Sequence, residues 1–184
     1  MVRAKLRDAV VGKTALYYTY TVKDGQTAEN VADKYYGSPN MVWVIYYANN
    51  IFDPIFDWHL EHTAFQKYLV EKYGSLSSIM TLYRTDGSLN LDSISHYVET
   101  DLSTGLKYIV DKKTYLQRKS QIEYYKAQLQ NNAVDTSILR TLNPIEPVTI
   151  YEHEHALNEA KKDVVVIDKV NIGILMNEIR NVFD

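Results

Sequence analysis

Eight consecutive apolar residues, Met41-Val42-Trp43-Val44-Ile45-Tyr46-Tyr47-Ala48, follow a Ser38-Pro39 pair, and few folds accommodate that combination. Serine at an N-cap and proline at the first helical position open a helix, and Asn49-Asn50 closes it. At about 1.5 Å per residue the run makes roughly 12 Å of helix axis. A helix that is apolar on every side is buried on every side, so its outward face must be covered by later parts of the chain or by another subunit.

What precedes the run makes it the third element of a unit. Tyr17–Val22 (YYTYTV) is β-branched or aromatic throughout and enters Lys23-Asp24-Gly25-Gln26, a strand followed by a tight turn. Thr27 caps a short helix with Ala28, Val31, Ala32 and Tyr35 at helical spacing, and Gly37 supplies its left-handed end. The reading is strand, helix, helix. Beyond it, Ile51-Phe52-Asp53-Pro54-Ile55-Phe56-Asp57-Trp58 reads as an ordered loop pressed on the core.

The capping-box pattern Thr63-Ala-Phe-Gln66 predicts a third helix with Phe65, Leu69 and Tyr73 on one stripe and Gly74 at its end. Ser77–Arg84 alternates as a strand and leads into a hairpin-type turn at Asp86-Gly87. His96–Glu99 and Leu106–Val110 read as short strands flanking Asp101–Gly105. A second capping-box pattern, Thr114-Tyr-Leu-Gln117, predicts a longer polar helix that projects partly clear of the core, with Tyr115, Ile122, Tyr125 and Leu129 as a narrow apolar seam. Asn131–Pro147 reads as a linker. Val148–Ile167 fits either a hairpin or a helix followed by a strand, and the hairpin is preferred. Asp168 caps a final helix with Ile172, Leu175, Met176, Ile179 and Val182 on one side.

Composition narrows the function classes. At 184 residues, with 46% apolar and 23% charged, the chain can bury a core without staples. A net charge of -3 gives no general attraction to nucleic acid or to an anionic membrane. There is no cysteine, hence no disulfide, thiolate zinc site or cysteine nucleophile. No signal-peptide pattern and no membrane-length apolar run is visible. The 16 tyrosines far outnumber four phenylalanines and two tryptophans, and such amphipathic rings suit protein interfaces and sugar-stacking platforms.

Chemistry is hard to place. His59 and His62, and the Glu152-His153-Glu154-His155 run, invite a metal reading. Strand alternation, however, would put only His153 and His155 on one face, too few ligands for a closed site. No HExxH, GxSxG or glycine-rich phosphate loop occurs. No catalytic residue, cofactor site or metal site is nominated, and the chain reads as a protein that is not an enzyme.

The pattern Tyr20-x-Val22-x-x-Gly25-x-Thr27, Val31-Ala32-x-x-Tyr35-x-Gly37, then Ile45 and Asn49, resembles a LysM module, the βααβ domain known for binding peptidoglycan and chitin. Extended through Tyr35-Tyr36-Gly37-Ser38-Pro39, Trp43-Val44-Ile45, Asn49-Asn50 and Asp53-Pro54-Ile-Phe56-Asp57-Trp58, it resembles the LysM-like baseplate wedge protein of contractile-tailed bacteriophages. Thr149-Ile-Tyr151-Glu152, Asn158-Glu159-Ala-Lys161-Lys162 and Val164–Ile167 are similar to that family's C-terminal end.

The resemblance implies an α+β fold: an N-terminal LysM-like strand-helix-helix module with additional helices and short strands packed around it. It divides the chain into an arm (1–16), the LysM-like domain with an appended helix and strand (17–84), a variable middle with the projecting helix (85–147) and a C-terminal hairpin or helix element (148–184). It also implies a structural virion protein of the tail baseplate, assembled in the host cytoplasm. Such a protein docks on the wedge core and helps join wedges around the tail hub near the sheath initiator. Its partners are other wedge subunits, neighbouring wedges and the sheath initiator, with no nucleic acid, membrane or small-molecule substrate. The rival class is a LysM-type peptidoglycan- or chitin-binding module. Against it, Asp57-Trp58-His59-Leu60 stands where a carbohydrate-binding LysM carries G-Q-x-L. Interface candidates are Trp43, Tyr46, Tyr47, Phe56 and Trp58 in the module, and Tyr115, Ile122, Tyr125 and Leu129 on the projecting helix.

Overall fold

A computed structural model describes residues 17–130 and 141–183, with side chains through Asn177. The N-terminal arm, part of the expected linker, and the side chains of Ile179 and Val182 lie outside the described residues. The fold is α+β, with seven α-helices and two small sheets among the described residues. The chain separates into two compact units: one holds residues up to Lys67 and from Ala156 onward, the other Tyr68–His155.

In the first unit, β1 (Tyr17–Thr21) pairs antiparallel with β5 (Asp163–Ile167), Thr19 opposite Val165. Between them in sequence come α1 (Ala28–Tyr36) and α2 (Val42–Ala48), the latter entered by a 3-10 turn at Pro39–Met41. Local chemistry sets each boundary as the sequence suggests. Thr27 Oγ1 accepts from Asn30 N at 3.3 Å, and Gly37 ends α1 at φ 74°, where a side chain would be strained. Ser38 holds the N-cap position but makes no side-chain cap bond. The core joins Val31, Ala32, Val44, Ile45 and Ala48 to Val164, Val166, Ile167 and Leu175. Later parts of the chain therefore cover much of the apolar helix.

Two further helices that begin in this unit follow from carboxylate caps. α3 (His62–Tyr73) is capped two residues before the expected Thr63: Glu61 Oε1 accepts from Ala64 N at 3.1 Å, which corrects the Thr63 box. α7 (Ile172–Phe183) follows a 3-10 turn in which Asp168 accepts from Val170 N, and it buries Leu175.

The second unit carries the sheet β3-β2-β4, formed by β2 (Ile94–Thr100), β3 (Lys107–Val110) and β4 (Ile145–Thr149), all antiparallel. β4 corrects the linker reading of residues 145–147. It lies at a sheet edge, where Pro147 is tolerated without its N–H. The strand expected at Ser77–Arg84 is instead α4 (Leu76–Met80) and a single bridge, Tyr83 to Leu89, around the turn with Gly87 at φ 80°. Met80 and Tyr83 both stay exposed, so no sheet face existed for that alternation to bury.

α5 (Lys112–Gln130) also starts early, because Asp111 Oδ1 accepts from Thr114 N at 2.6 Å, which corrects the Thr114 box. The hairpin preferred for Val148–Ile167 is corrected as well. α6 (Ile150–Ala160) precedes β5, and it is opened by a reciprocal box at Thr149-x-x-Glu152. Thr149 Oγ1 accepts from Glu152 N at 3.1 Å while Glu152 Oε2 accepts from Thr149 N at 2.8 Å. The unit boundary falls inside α3 and inside α6.

Candidate interaction surface

The nine sequence candidates fall into three groups. Trp43, Tyr46 and Tyr47 are half-buried and pack against the first unit's core, and the Tyr46 hydroxyl donates to Glu29 Oε1 at 3.0 Å. Burial and the Glu29 carboxylate push that hydroxyl up to about 12. Trp58 is a core residue, 7% exposed, with its Nε1–H donated to Gln26 O at 2.8 Å. Of the module candidates, Phe56 is the exposed one, at 49%.

Phe56 does not stand alone, and the expectation that its loop presses on the core needs correction. The ends press inward, through Ile51 and Trp58, but Phe52 is 73% and Ile55 66% exposed. Two aspartates explain how three large apolar side chains can face water on an ordered loop. Asp57 Oδ2 accepts from the backbone N–H groups of Phe52 and Asp53, both at 2.9 Å. Asp53 Oδ1 accepts from those of Ile55 at 2.9 Å and Phe56 at 3.1 Å. Lys161 Nζ donates to Phe56 O at 2.6 Å. Backbone N–H bonds from residues 52 and 53 hold the Asp57 carboxyl below its ordinary range. Polar groups thus fix the backbone, and the apolar side chains are not needed to hold it. Sequence reading missed Phe52 and Ile55; the available signal was Asp53-Pro54-x-x-Asp57, two backbone-capping side chains bracketing the loop.

In the second unit, Tyr115 is buried and stacks on Tyr97 with ring centroids 4.4 Å apart. Ile122, Tyr125 and Leu129 continue along α5 half-buried. Beside Tyr115 and Ile122 an open groove of about 480 Å³ is lined by Leu82, Tyr83, Ile145 and Pro147 as well. Arg118 of α5 is tied to Glu99 of β2 at 3.1 Å.

The histidines are dispersed. His153 and His155 lie on a helix, not a strand, so the alternation argument is replaced: His153 meets the His96 ring edge-on at 5.1 Å and His155 stacks on Tyr151. His59 is buried with Nε2 at 3.4 Å from Glu159 Oε1. Among the described residues no group of three or more His, Cys, Asp or Glu could hold a metal ion, and no helix is long and apolar enough to cross a membrane.

The described residues thus present exposed apolar side chains on loop 52–57 and an open groove beside α5, and sequence comparison identifies the family. The pattern of the family described as base plate wedge protein 53 matches residues 6–182. Baseplate wedge protein gp53 of Enterobacteria phage T4 is 24% identical over 166 residues, covering 90% of this chain and 73% of the relative. The chain belongs to the base plate wedge protein 53 family and is a structural component of the phage tail baseplate.

Proposed function

We propose that this wedge protein docks on the helical core of the baseplate wedge and helps join neighbouring wedges around the tail hub, near the sheath initiator, performing no chemistry of its own. The observation that carries the reading is the loop 52–57. Buried interface centres draw on aromatic and aliphatic anchors, and an anchor held rigid before binding loses little entropy on docking. Phe52, Ile55 and Phe56 project from a backbone fixed by two carboxylates, which meets both conditions. Trp43, Tyr46 and Tyr47, half-buried against the core of the same unit, and the seam of Ile122, Tyr125 and Leu129 offer further contacts.

The test is a paired substitution. Phe52→Ser with Phe56→Ser removes the apolar side chains and leaves the aspartate frame, so the thermal midpoint of the isolated chain stays within a few degrees while incorporation into baseplates falls at least tenfold. Normal incorporation of a folded double variant refutes the docking role of this loop. The β1-α1-α2-β5 arrangement also supports a LysM-like module whose last strand arrives after a long insertion. That keeps the glycan-binding reading open to one measurement: saturable micromolar binding to insoluble peptidoglycan, about -8 kcal/mol, would favour it.

A further inference from the structure

Among the described residues, the two-stranded sheet of the first unit has one edge closed by a side chain and one edge with no strand beside it. Antiparallel pairs alternate between bonded and non-bonded, and the bond from Val22 N to Lys162 O at 2.8 Å fixes the phase. Tyr20 with Val164 and Tyr18 with Val166 are then the bonded pairs, and Thr19 with Val165 is not. Asn49 confirms this from the other side: its carboxamide accepts from Val165 N at 2.7 Å and donates to Val165 O at 2.8 Å, standing in for a neighbouring strand. The outer edge of β5 is therefore closed at its centre. On β1 the backbone N–H and C=O of Thr19 point the other way, and Thr19 is exposed.

Protein edges in this position are usually blunted by proline, a charged side chain, a bulge or a covering loop. β1, Tyr17-Tyr-Thr-Tyr-Thr21, has no proline, no charge and a regular register. A two-stranded ribbon is also marginal by itself.

One face of the edge is chemically distinctive. Tyr18 and Tyr20 both meet the Tyr35 ring, with centroids 5.3 and 5.2 Å apart. Lys34 Nζ lies 4.6 Å from the Tyr20 centroid and 5.0 Å from that of Tyr35. Lys34 is exposed and enters none of the ion pairs among the described residues. At the other end, Asp168 lies close enough to Tyr18 to help burial and Tyr35 push its hydroxyl up to about 12. A carboxylate arriving there would meet like charge; one level with Tyr20 would meet Lys34.

We propose that the open edge of β1 takes up an extended segment of another baseplate protein as a third strand, with an aspartate or glutamate of that segment level with Tyr20 and paired to Lys34. Main-chain bonds to Thr19 supply the attachment, and alternate side chains of the incoming strand rest on the tyrosine face, the mode known as β-augmentation. This is a different segment from the loop 52–57 and a different mode of binding, so either surface can fail its test without the other.

The decisive measurement is amide hydrogen exchange at Thr19, in the isolated chain and in assembled baseplates. The expected result is fast exchange in the isolated chain and exchange slowed at least about 100-fold after assembly. Equal, fast exchange in both overturns the proposal. Slow exchange already in the isolated chain overturns it too, because residues 1–16 or a second copy then occupy the edge; dependence on protein concentration tells those apart. Thr19→Pro deletes the outward N–H and leaves every β1–β5 bond in place, so it folds and fails to incorporate; a folded Thr19→Pro that incorporates normally refutes strand addition. Should that variant unfold, the exchange measurement on the unaltered chain still decides. Lys34→Glu lowers incorporation at least tenfold, and normal incorporation refutes the acidic partner.

Discussion

Asn49 is the first of two asparagines that end an apolar helix, and the structure makes it a keystone of the first unit. Its carboxamide makes three bonds: Nδ2–H to Ile45 O at 2.9 Å, Nδ2–H to Val165 O at 2.8 Å, and Oδ1 from Val165 N at 2.7 Å. Asn49→Ala deletes all three and leaves the N–H and C=O of Val165 without partners in a half-buried place. Each net hydrogen bond contributes about 1 kcal/mol, and an orphaned partner raises the loss, so the expected destabilisation is about 3 kcal/mol. For a chain of this size that lowers the thermal midpoint by roughly 6–12 °C. Asn49→Asp separates hydrogen bonding from side-chain volume. It keeps an acceptor for Val165 N–H but turns a carboxylate oxygen toward the carbonyls of Ile45 and Val165, so it destabilises at least as much as alanine. Urea unfolding of the three proteins measures both. A loss below about 0.5 kcal/mol for either variant, the range of ordinary surface changes, would refute the strand-mimic argument and with it the assignment of β1 as the open edge.

In the second unit, Glu154 is buried and accepts from the hydroxyl of Tyr73 at 2.6 Å and from Lys72 Nζ at 2.9 Å. Burial pushes its carboxyl up, but the bonds from Tyr73 and Lys72 outweigh burial and hold it below its ordinary range. A depressed carboxyl contributes stability that is present above its unfolded value, about 4.3, and is lost as pH falls through the lower folded one. The wild type should therefore lose urea resistance on acidification below that point while Glu154→Gln, weaker at neutral pH, shows a flatter profile; parallel profiles count against the cluster. Thr149→Ala removes half of the reciprocal box that opens α6 and should cost about 1 kcal/mol, read as a lower thermal midpoint of the full chain; an unchanged midpoint means the Glu152 carboxylate caps α6 unaided.

Two misplaced helix starts and the misjudged segment 148–167 trace to one physical question, which group caps the helix. Three segments offer a Thr-x-x-Glu/Gln pattern: Thr63, Thr114 and Thr149. In the first two the bond to the i+3 amide is made by a carboxylate just upstream, Glu61 or Asp111, and the helix starts there. A charged acceptor at the positive end of a helix outcompetes a hydroxyl. Only the box that ends in Glu, at Thr149, closes reciprocally, and overlooking it left the helix reading of 150–160 in second place. At α1 and the Asp168 cap, by contrast, Thr27, Gly37 and Asp168 meet no competing group, and the reading holds. β4 was illegible for another reason: an edge strand that contains Pro147 is specified by its pairing with β2, a partner about 50 residues away that no local pattern reveals.

Surface and core part ways over the same question of what holds the backbone. An apolar loop reads as pressed on the core unless something polar holds it, and of the two interface candidates the sequence offers there the structure buries Trp58 and exposes Phe56, together with Phe52 and Ile55. Asp53 and Asp57 reverse that logic locally. By satisfying four backbone N–H groups they make a loop that stays ordered without burying its largest side chains. Asn49 does the same for β5, closing an edge with a side chain and leaving β1, among the described residues, as the edge without a neighbour. In both cases a short polar side chain takes over a structural duty that burial or strand pairing would otherwise perform. What it releases, an apolar loop in one case and a strand edge in the other, is the surface an assembly protein can give to its partners. If the proposed docking role of the loop holds, Asp57→Ala lowers incorporation into baseplates and speeds amide exchange over residues 52–56, whereas Phe56→Ala lowers incorporation with exchange unchanged; equal exchange in both variants refutes the aspartate frame.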